Sequence, residues 1–242
     1  MENMNKTHVA AIIVALGIVL SSLFLSKLFV RIKHEQDITV KGYAEKSVIS
    51  DIGKFECSFS ARRVTLNSAY RDLQKSKKII LAFLKKKGVK KEEIELGNIG
   101  TQKIFKKDPK GNTTNEIEYN TANQSITITS NNVQLIKDVH QKITELIKNG
   151  IDLYAGSPKY YVSNLDDIKV ELIAKATENG YQRAGILALN SGGKVGALSS
   201  ARQGVFQITA PNSTEISGYG VYSTSTIKKV VKAVVTLEYM ID

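Results

Sequence analysis

The chain has 242 residues, of which 42% are hydrophobic and 24% are charged, so its composition is that of a folded protein and not of a disordered one. A single cysteine, Cys57, excludes an internal disulfide framework and a zinc site built from several thiolates. Lys and Arg number 34 against 23 Asp and Glu, and the resulting formal net charge of +11 favours anionic partners.

The N-terminal part of the chain is a short tail, residues 1–8, followed by a long apolar segment. Residues 9–25 carry no charge, and the apolar character resumes after Lys27 and continues to Val30. A helix over 9–30 would be about 33 Å long, enough to cross a hydrocarbon core of about 30 Å. We therefore expect a single-pass transmembrane anchor at 9–30 and a polar linker at 31–37. A cleaved signal peptide is the alternative, and the flanking charges leave the orientation open.

From Ile38 onward, strand and helix patterns follow one another. Alternating apolar and polar residues predict seven strands, at 38–43, 48–64, 92–107, 116–130, 159–163, 194–208 and 226–240. Helical spacing predicts three helices, between Thr65 and Gly88, between Asn132 and Gly150, and over 166–190. The order ββαββαβαββ lacks strict alternation, so we expect an α+β fold with a mainly antiparallel sheet over 38–242.

The sequence pattern predicts a packing role, not a chemical one, for several residues. Cys57 lies between two phenylalanines on the apolar side of its strand, which indicates a buried, unreactive thiol. His140 lies beside the apolar side of the second helix, with no second metal ligand at a matching position. The third helix has a face rich in small residues that should pack closely on a sheet, consisting of Val170, Ala174, Thr177, Tyr181, Ala184 and Ala188.

Several passages resemble the SIMPL-domain family. The opening Ile38-Thr39-Val40-Lys41-Gly42-Tyr43-Ala44-Glu45 is similar to the start of the family domain, and the passage from Leu84 to Glu95 is similar to its helix end, with Glu93 in place of the usual Asp. The strand Glu118–Ile126 and the last strand also fit, whereas Ser50 stands where a Pro often precedes the equivalent of Asp51. The resemblance implies an α+β fold, export to the periplasm or cell surface of bacteria, and self-assembly. It implies no activity.

The familiar catalytic motifs are missing. The chain contains no phosphate-binding loop, no dinucleotide fingerprint, no HExxH and no GxSxG. The adjacent carboxylates Asp166-Asp167 and Glu92-Glu93 lie at the beginnings of elements, where helix-end charge explains them. We therefore expect no catalytic residue, cofactor or metal. Together with the anchor, the resemblance implies a membrane-anchored, self-associating module of the bacterial envelope with its domain in the periplasm or outside the cell. The alternatives are an envelope enzyme with an unrecognised site and a basic module that binds anionic lipid or nucleic acid.

Positive charge is concentrated in the first half of the domain. Between Arg62 and Lys110 there are 15 Lys and Arg against 5 Asp and Glu. An anionic partner could be a lipid headgroup, an envelope polymer or nucleic acid, and the scarcity of interleaved aromatic residues disfavours nucleic acid. The candidate residues for such a face are Lys85, Lys86, Lys87, Lys90 and Lys91. The loop 211–225, with Tyr219 and Tyr222, is a candidate contact surface.

Overall fold

A computed structural model describes residues 14–26 and 37–241. Helix α1 covers 14–26, and its side chains are exposed. The predicted tail 1–8 lies outside the described residues, as do all of the predicted linker except Asp37 and both ends of the predicted anchor 9–30. Within the described ranges, no helix has both the length and the apolar character needed to cross a membrane.

The rest of the described chain is an α+β fold with three further helices, as the sequence predicts. Helices α2, α3 and α4 cover Leu66–Lys86, Val133–Ile143 and Leu165–Asn190. Short 3-10 helices occupy Lys91–Glu93 and Thr144–Asn149. The strands are β1 (Asp37–Ile49), β2 (Ile52–Arg63), β3 (Ile94–Leu96), β4 (Gly100–Lys107), β5 (Thr113–Ser130), β6 (Asp152–Ala155), β7 (Lys159–Tyr161), β8 (Val195–Gln203), β9 (Gln207–Thr209), β10 (Val221–Tyr222) and β11 (Lys228–Ile241).

The chain forms two compact units. Unit 1 takes its described residues from the chain up to Ala44, from Ile173–Gly204 and from Ala233 onward, and unit 2 consists of Glu45–Leu172 and Val205–Lys232. Strands β1 and β11 and helix α4 each contribute residues to both units.

Unit 2 contains a six-stranded sheet with helices α2 and α3 on one face. Strands β3, β5, β2 and β6 follow one another, β4 also pairs with β5 and β7 also pairs with β2, all antiparallel. The apolar residues of β2 and β5 face the two helices, and the alternate residues of both strands point to the opposite face. The buried core includes Phe55, Cys57, Phe59, Leu73, Ile80, Leu84, Ile126, Ile128, Ile136 and Val139.

The second sheet contains β11 as its longest strand. Its order is β1-β11-β9-β10, and β8 also pairs with β11. Within unit 1, β8 runs antiparallel to the last part of β11, from Val195 opposite Ile241 to Gln203 opposite Val235. Within unit 2, β9 is antiparallel to β11 and parallel to β10, so this sheet is mixed rather than purely antiparallel.

The predicted face of the third helix is wrong in part. Val170 and Tyr181 are 68% and 55% exposed. Every fourth residue of the helix is buried instead. Small residues along this ridge allow the backbone of the helix to approach a neighbouring strand closely, and Gly180, which the prediction left out, is one of them. The buried row is Ile168, Leu172, Ala176, Gly180, Ala184 and Ala188.

Two predicted strands are each divided in the structure. The segment 92–107 becomes a 3-10 turn, β3 and β4, because the Gly97 N–H donates to the Ser125 carbonyl and the chain turns there. The segment 194–208 becomes β8 and β9, separated at Gly204, whose N–H donates to the Val234 carbonyl. Strands β6 and β10 were not predicted, since four and two residues are too short to show a period.

Candidate functional site: a basic helix and a tyrosine loop

The sequence places helix α2 accurately, and two of the five candidate lysines, Lys85 and Lys86, lie in its last turn. The Thr65 hydroxyl oxygen accepts a hydrogen bond from the Ser68 N–H at the N-cap. Lys87 is the C-cap residue, and Gly88 follows with a φ of 93°, a conformation that favours glycine. Lysines in the last turn are favourable because the helix end carries partial negative charge.

The structure keeps the five predicted lysines together around this helix end. Lys85, Lys86, Lys90 and Lys91 are exposed, and Lys87 is half-buried with its ammonium 5.4 Å from the centre of the Phe83 ring. Within residues 14–26 and 37–241 none of the five forms a salt bridge. Their charge therefore remains available to an anionic partner.

The basic surface extends further along α2 than the sequence analysis indicated. Arg71, Lys75 and Lys78 are also exposed, and with Lys85 and Lys86 they lie on the side of the helix opposite its buried residues. Their spacing of four, three and seven residues was a signal for one helical face, which the sequence analysis did not use. We call Arg71, Lys75, Lys78, Lys85 and Lys86 the basic stripe, which is about 22 Å long at 1.5 Å per residue.

Acidic neighbours neutralise only one end of the basic stripe. Asp72 lies 3.3 Å from the Lys75 ammonium and 2.6 Å from the Arg63 guanidinium. The hydrogen bond from Lys75, together with the charge of Arg63, lowers the Asp72 pKa. Near the other end, Glu93 is already engaged, because it accepts hydrogen bonds from the Lys90 N–H at 2.8 Å and the Ser130 hydroxyl at 2.6 Å.

The two tyrosines of the candidate contact loop are not brought together. Tyr219 is fully exposed, whereas the Tyr222 ring packs edge-on against Tyr161 with the ring centres 6.2 Å apart. A cavity of about 490 Å³ is lined by Glu215, Ser217 and residues 220–225, which include Tyr222 but not Tyr219. Only Tyr219 remains as a free aromatic side chain on this loop.

A buried lysine that the sequence analysis missed holds the end of the same loop. Lys229 is 1% exposed, and its ammonium donates hydrogen bonds to the carbonyl oxygens of Ser223 at 2.7 Å and Thr226 at 2.5 Å. Burial lowers the Lys229 pKa to about 8, because the charged form loses its hydration. The position on an alternating strand predicts burial, but nothing in the sequence identifies the two carbonyl partners.

The remaining residues that could act as nucleophiles or metal ligands are part of the packed structure. Cys57 is buried as predicted, and burial raises the pKa of its thiol to about 12, so the nucleophilic thiolate is scarce at neutral pH. The His140 ring packs edge-on against Phe55, with ring centres 5.5 Å apart. Across the described part of the chain, no group of three or more His, Cys, Asp or Glu side chains could hold a metal ion.

Comparison with known proteins identifies the family. The SIMPL family model, described as "Protein of unknown function (DUF541)", matches residues 38–239. No curated protein matches the chain. The family match begins and ends close to the region predicted from the sequence motifs and covers far more than half of the chain. The protein is therefore a member of the SIMPL family.

Proposed function

We propose that this chain is a non-catalytic assembly and binding module of the bacterial envelope, attached to the inner membrane by 9–30 and associating with itself through β8. The uncharged run 9–25 supports the anchor. The free edge of β8 supports self-association and is the observation on which the proposal rests.

Strand β8 pairs on one side only, with β11, within the described residues. An edge strand offers unpaired N–H and C=O groups to another strand, and protective features such as prolines or several charges normally prevent this. Between Val195 and Gln203 there is no proline and one charge, Arg202. The edge of β8 is therefore open to β-sheet extension.

A second copy of the chain is the partner that fits this edge. An antiparallel pairing centred on Ser199 would place Arg202 of each copy opposite Gly196 of the other, so that no like charges meet. Unit 1 also exposes large apolar side chains that a second copy could cover, namely Ile186, Leu187, Leu189 and Leu198.

Cysteine cross-linking tests the proposed β8 pairing. In a Ser199→Cys variant of the full chain in detergent, the two thiols would face each other across the two-fold axis, so mild oxidation should yield a disulfide-linked dimer. Native Cys57 is buried and should not interfere. Thr214→Cys, an exposed loop residue, is the matched control. A strictly monomeric protein by analytical ultracentrifugation, or equal cross-linking of both variants, would reject the β8 interface.

The basic stripe supports a second binding function, toward an anionic envelope polymer. Binding to polyphosphate, a soluble polyanion, should weaken steeply with salt because counterions are released. The charge-reversed triple variant K78E/K85E/K86E should lose at least tenfold in affinity. Reversal of three exposed lysines outside the stripe, in K142E/K148E/K194E, makes the same change in net charge. If both variants bind equally, net charge alone causes the binding and the stripe is not a site.

A further inference from the structure

The face of the six-stranded sheet opposite α2 and α3 carries a polar depression. It has a volume of about 290 Å³ and lies over β2, β5 and β6. Because side chains alternate along a strand, the residues on either side of the buried Phe59 point to this face. We call the depression the polar groove; the side chains around it are Ser58, Ser60, Asn98, Asn123, Asp152 and Tyr154.

Strand register arranges the groove in two parallel rows. Tyr154 pairs with Ser58, which pairs with Ser125 across the next strand. In the neighbouring row Asp152 pairs with Ser60, which pairs with Asn123. At about 4.8 Å between strands and about 6.8 Å between alternate residues, the floor measures roughly 10 by 7 Å.

At the β5 side of the groove, two glycines lie close to polar side chains of the strand. A Cβ at Gly97 would lie 2.3 Å from the Ser125 hydroxyl oxygen, and a Cβ at Gly100 would lie 2.6 Å from the Asn123 amide oxygen. The Gly97 carbonyl also accepts a hydrogen bond from the side chain of Gln124 at 2.8 Å. Asn98 therefore lies in a turn whose two flanking glycines pack directly against side chains of β5.

The groove combines short hydroxyls and amides with one exposed aromatic ring. The Ser60 hydroxyl donates to one carboxylate oxygen of Asp152 at 2.6 Å, which leaves the second oxygen for a ligand donor. Arg62 is 3.9 Å from the same carboxylate oxygen, and because both side chains are mostly exposed this ion pair is weak. The Tyr154 side chain lies at the same β6 end, in the neighbouring row, and is 73% exposed. A tyrosine ring normally gains free energy when its faces are covered.

We propose that the polar groove binds a neutral glycan chain, with one sugar ring against the face of Tyr154 and its hydroxyls on Asp152, Asn123 and the serines. A sugar offers an apolar ring face to the tyrosine ring and many hydroxyls that both donate and accept hydrogen bonds with the polar side chains of the groove. An anionic ligand is disfavoured because Asp152 lies in the floor. This inference uses neither β8 nor the basic stripe and goes beyond the function proposed above.

Titration calorimetry of the full chain in detergent, with cellotetraose and with tetra-N-acetylchitotetraose, tests the inference. These β-1,4-linked tetrasaccharides are flat and uncharged. We expect millimolar or tighter binding of at least one of them, and at least about a tenfold loss, or about 1.4 kcal/mol, in Tyr154→Ala and in Asp152→Asn. Tyr70→Ala, which removes an exposed tyrosine from helix α2, should bind like the wild type.

Tyr154 and Asp152 are exposed, so neither substitution removes a core contact, and circular dichroism should give unchanged spectra. Failure of the wild type to bind either tetrasaccharide at millimolar concentration would overturn the inference. Wild-type affinity in Tyr154→Ala would overturn it as well, because the sugar would then bind elsewhere. Self-association measured on the same samples is a separate result, so a failure of the β8 proposal and a failure of the glycan proposal can be distinguished.

Discussion

Replacing Gly42 with alanine should separate a strand and a helix of unit 1. A Cβ at this position of β1 would lie 1.9 Å from the Ala176 carbonyl oxygen and 2.8 Å from the Gly180 nitrogen, both in α4. Ordinary contacts of a Cβ begin at 3.4 Å, so the two elements must move apart by about 3.4 − 1.9 = 1.5 Å. Neither obstructing atom belongs to a side chain that could rotate away.

The cost follows from the packing around this contact. Ala176 and Gly180 belong to the buried row of α4, and Leu237 of β11 lies against Gly180. A movement of 1.5 Å forfeits much of the dispersion energy at these contacts in addition to the direct overlap. We expect Gly42→Ala to lower the free energy of unfolding by about 3 kcal/mol, at the upper end of overpacking effects. For a domain of this size the melting temperature should fall by about 6–12 °C.

Thermal unfolding of the full chain in detergent, followed by circular dichroism, measures this effect. The matched control is Gly185→Ala, in the same helix, where a Cβ would meet nothing within 4 Å. That substitution should stabilise the helix by about 0.5–1 kcal/mol, because alanine has the higher helix propensity. If Gly42→Ala melts at the wild-type temperature, or both variants shift in the same direction, the close approach of β1 and α4 is not what requires glycine.

Three further predictions concern titratable groups. The Lys229 pKa is about 8 in the folded state and 10.5 normally, so the unfolded chain binds more protons between pH 8 and pH 10.5. The free energy of unfolding should therefore rise by at most about 3 kcal/mol as the pH increases through this range. Urea titrations of the Lys229→Met variant should lack that rise. A hydrogen bond from the Ser163 hydroxyl lowers the Asp51 pKa, so the stability that this bond provides should be lost as the pH falls through that pKa. In acid titrations, the Asp51→Asn variant should lose less of its free energy of unfolding than the wild type does. Cys57, with a pKa of about 12, should react with a thiol reagent at pH 8 only in urea; labelling of the native protein would show that its strand opens readily.

Long elements with an unbroken period could be predicted from the sequence. Strand β2 has four apolar residues at every second position, and α2 has an N-cap, a buried stripe and a closing glycine, so each element carries several agreeing signals. Strands β6 and β10 have none of these signals. They exist because β2 and β9 offer partners, a tertiary contact that local sequence cannot show.

The candidate sites show the same limit. The lysines at the end of α2 are consecutive in sequence and easily noticed, whereas Arg71 and Lys78 belong to the same surface only because the helix brings them into line. The groove could not be predicted at all, because Ser58 and Tyr154 are 96 positions apart in sequence and meet only through strand register. Its residues are also common types in ordinary polar strand faces, so no motif distinguishes them.

The two proposed binding surfaces of unit 2 lie on opposite sides of its layers, and this placement allows a further experiment. The basic stripe is on the side of α2 away from the sheet, and the polar groove is on the sheet face away from α2. The helix layer and the sheet both lie between the two surfaces, so a tetrasaccharide seated in the groove does not contact the basic stripe. Tetrasaccharide affinity should therefore be the same with and without saturating polyphosphate. Competition between the two ligands would mean that both bind the lysines, and the glycan assignment would then be wrong even if Tyr154→Ala weakened binding.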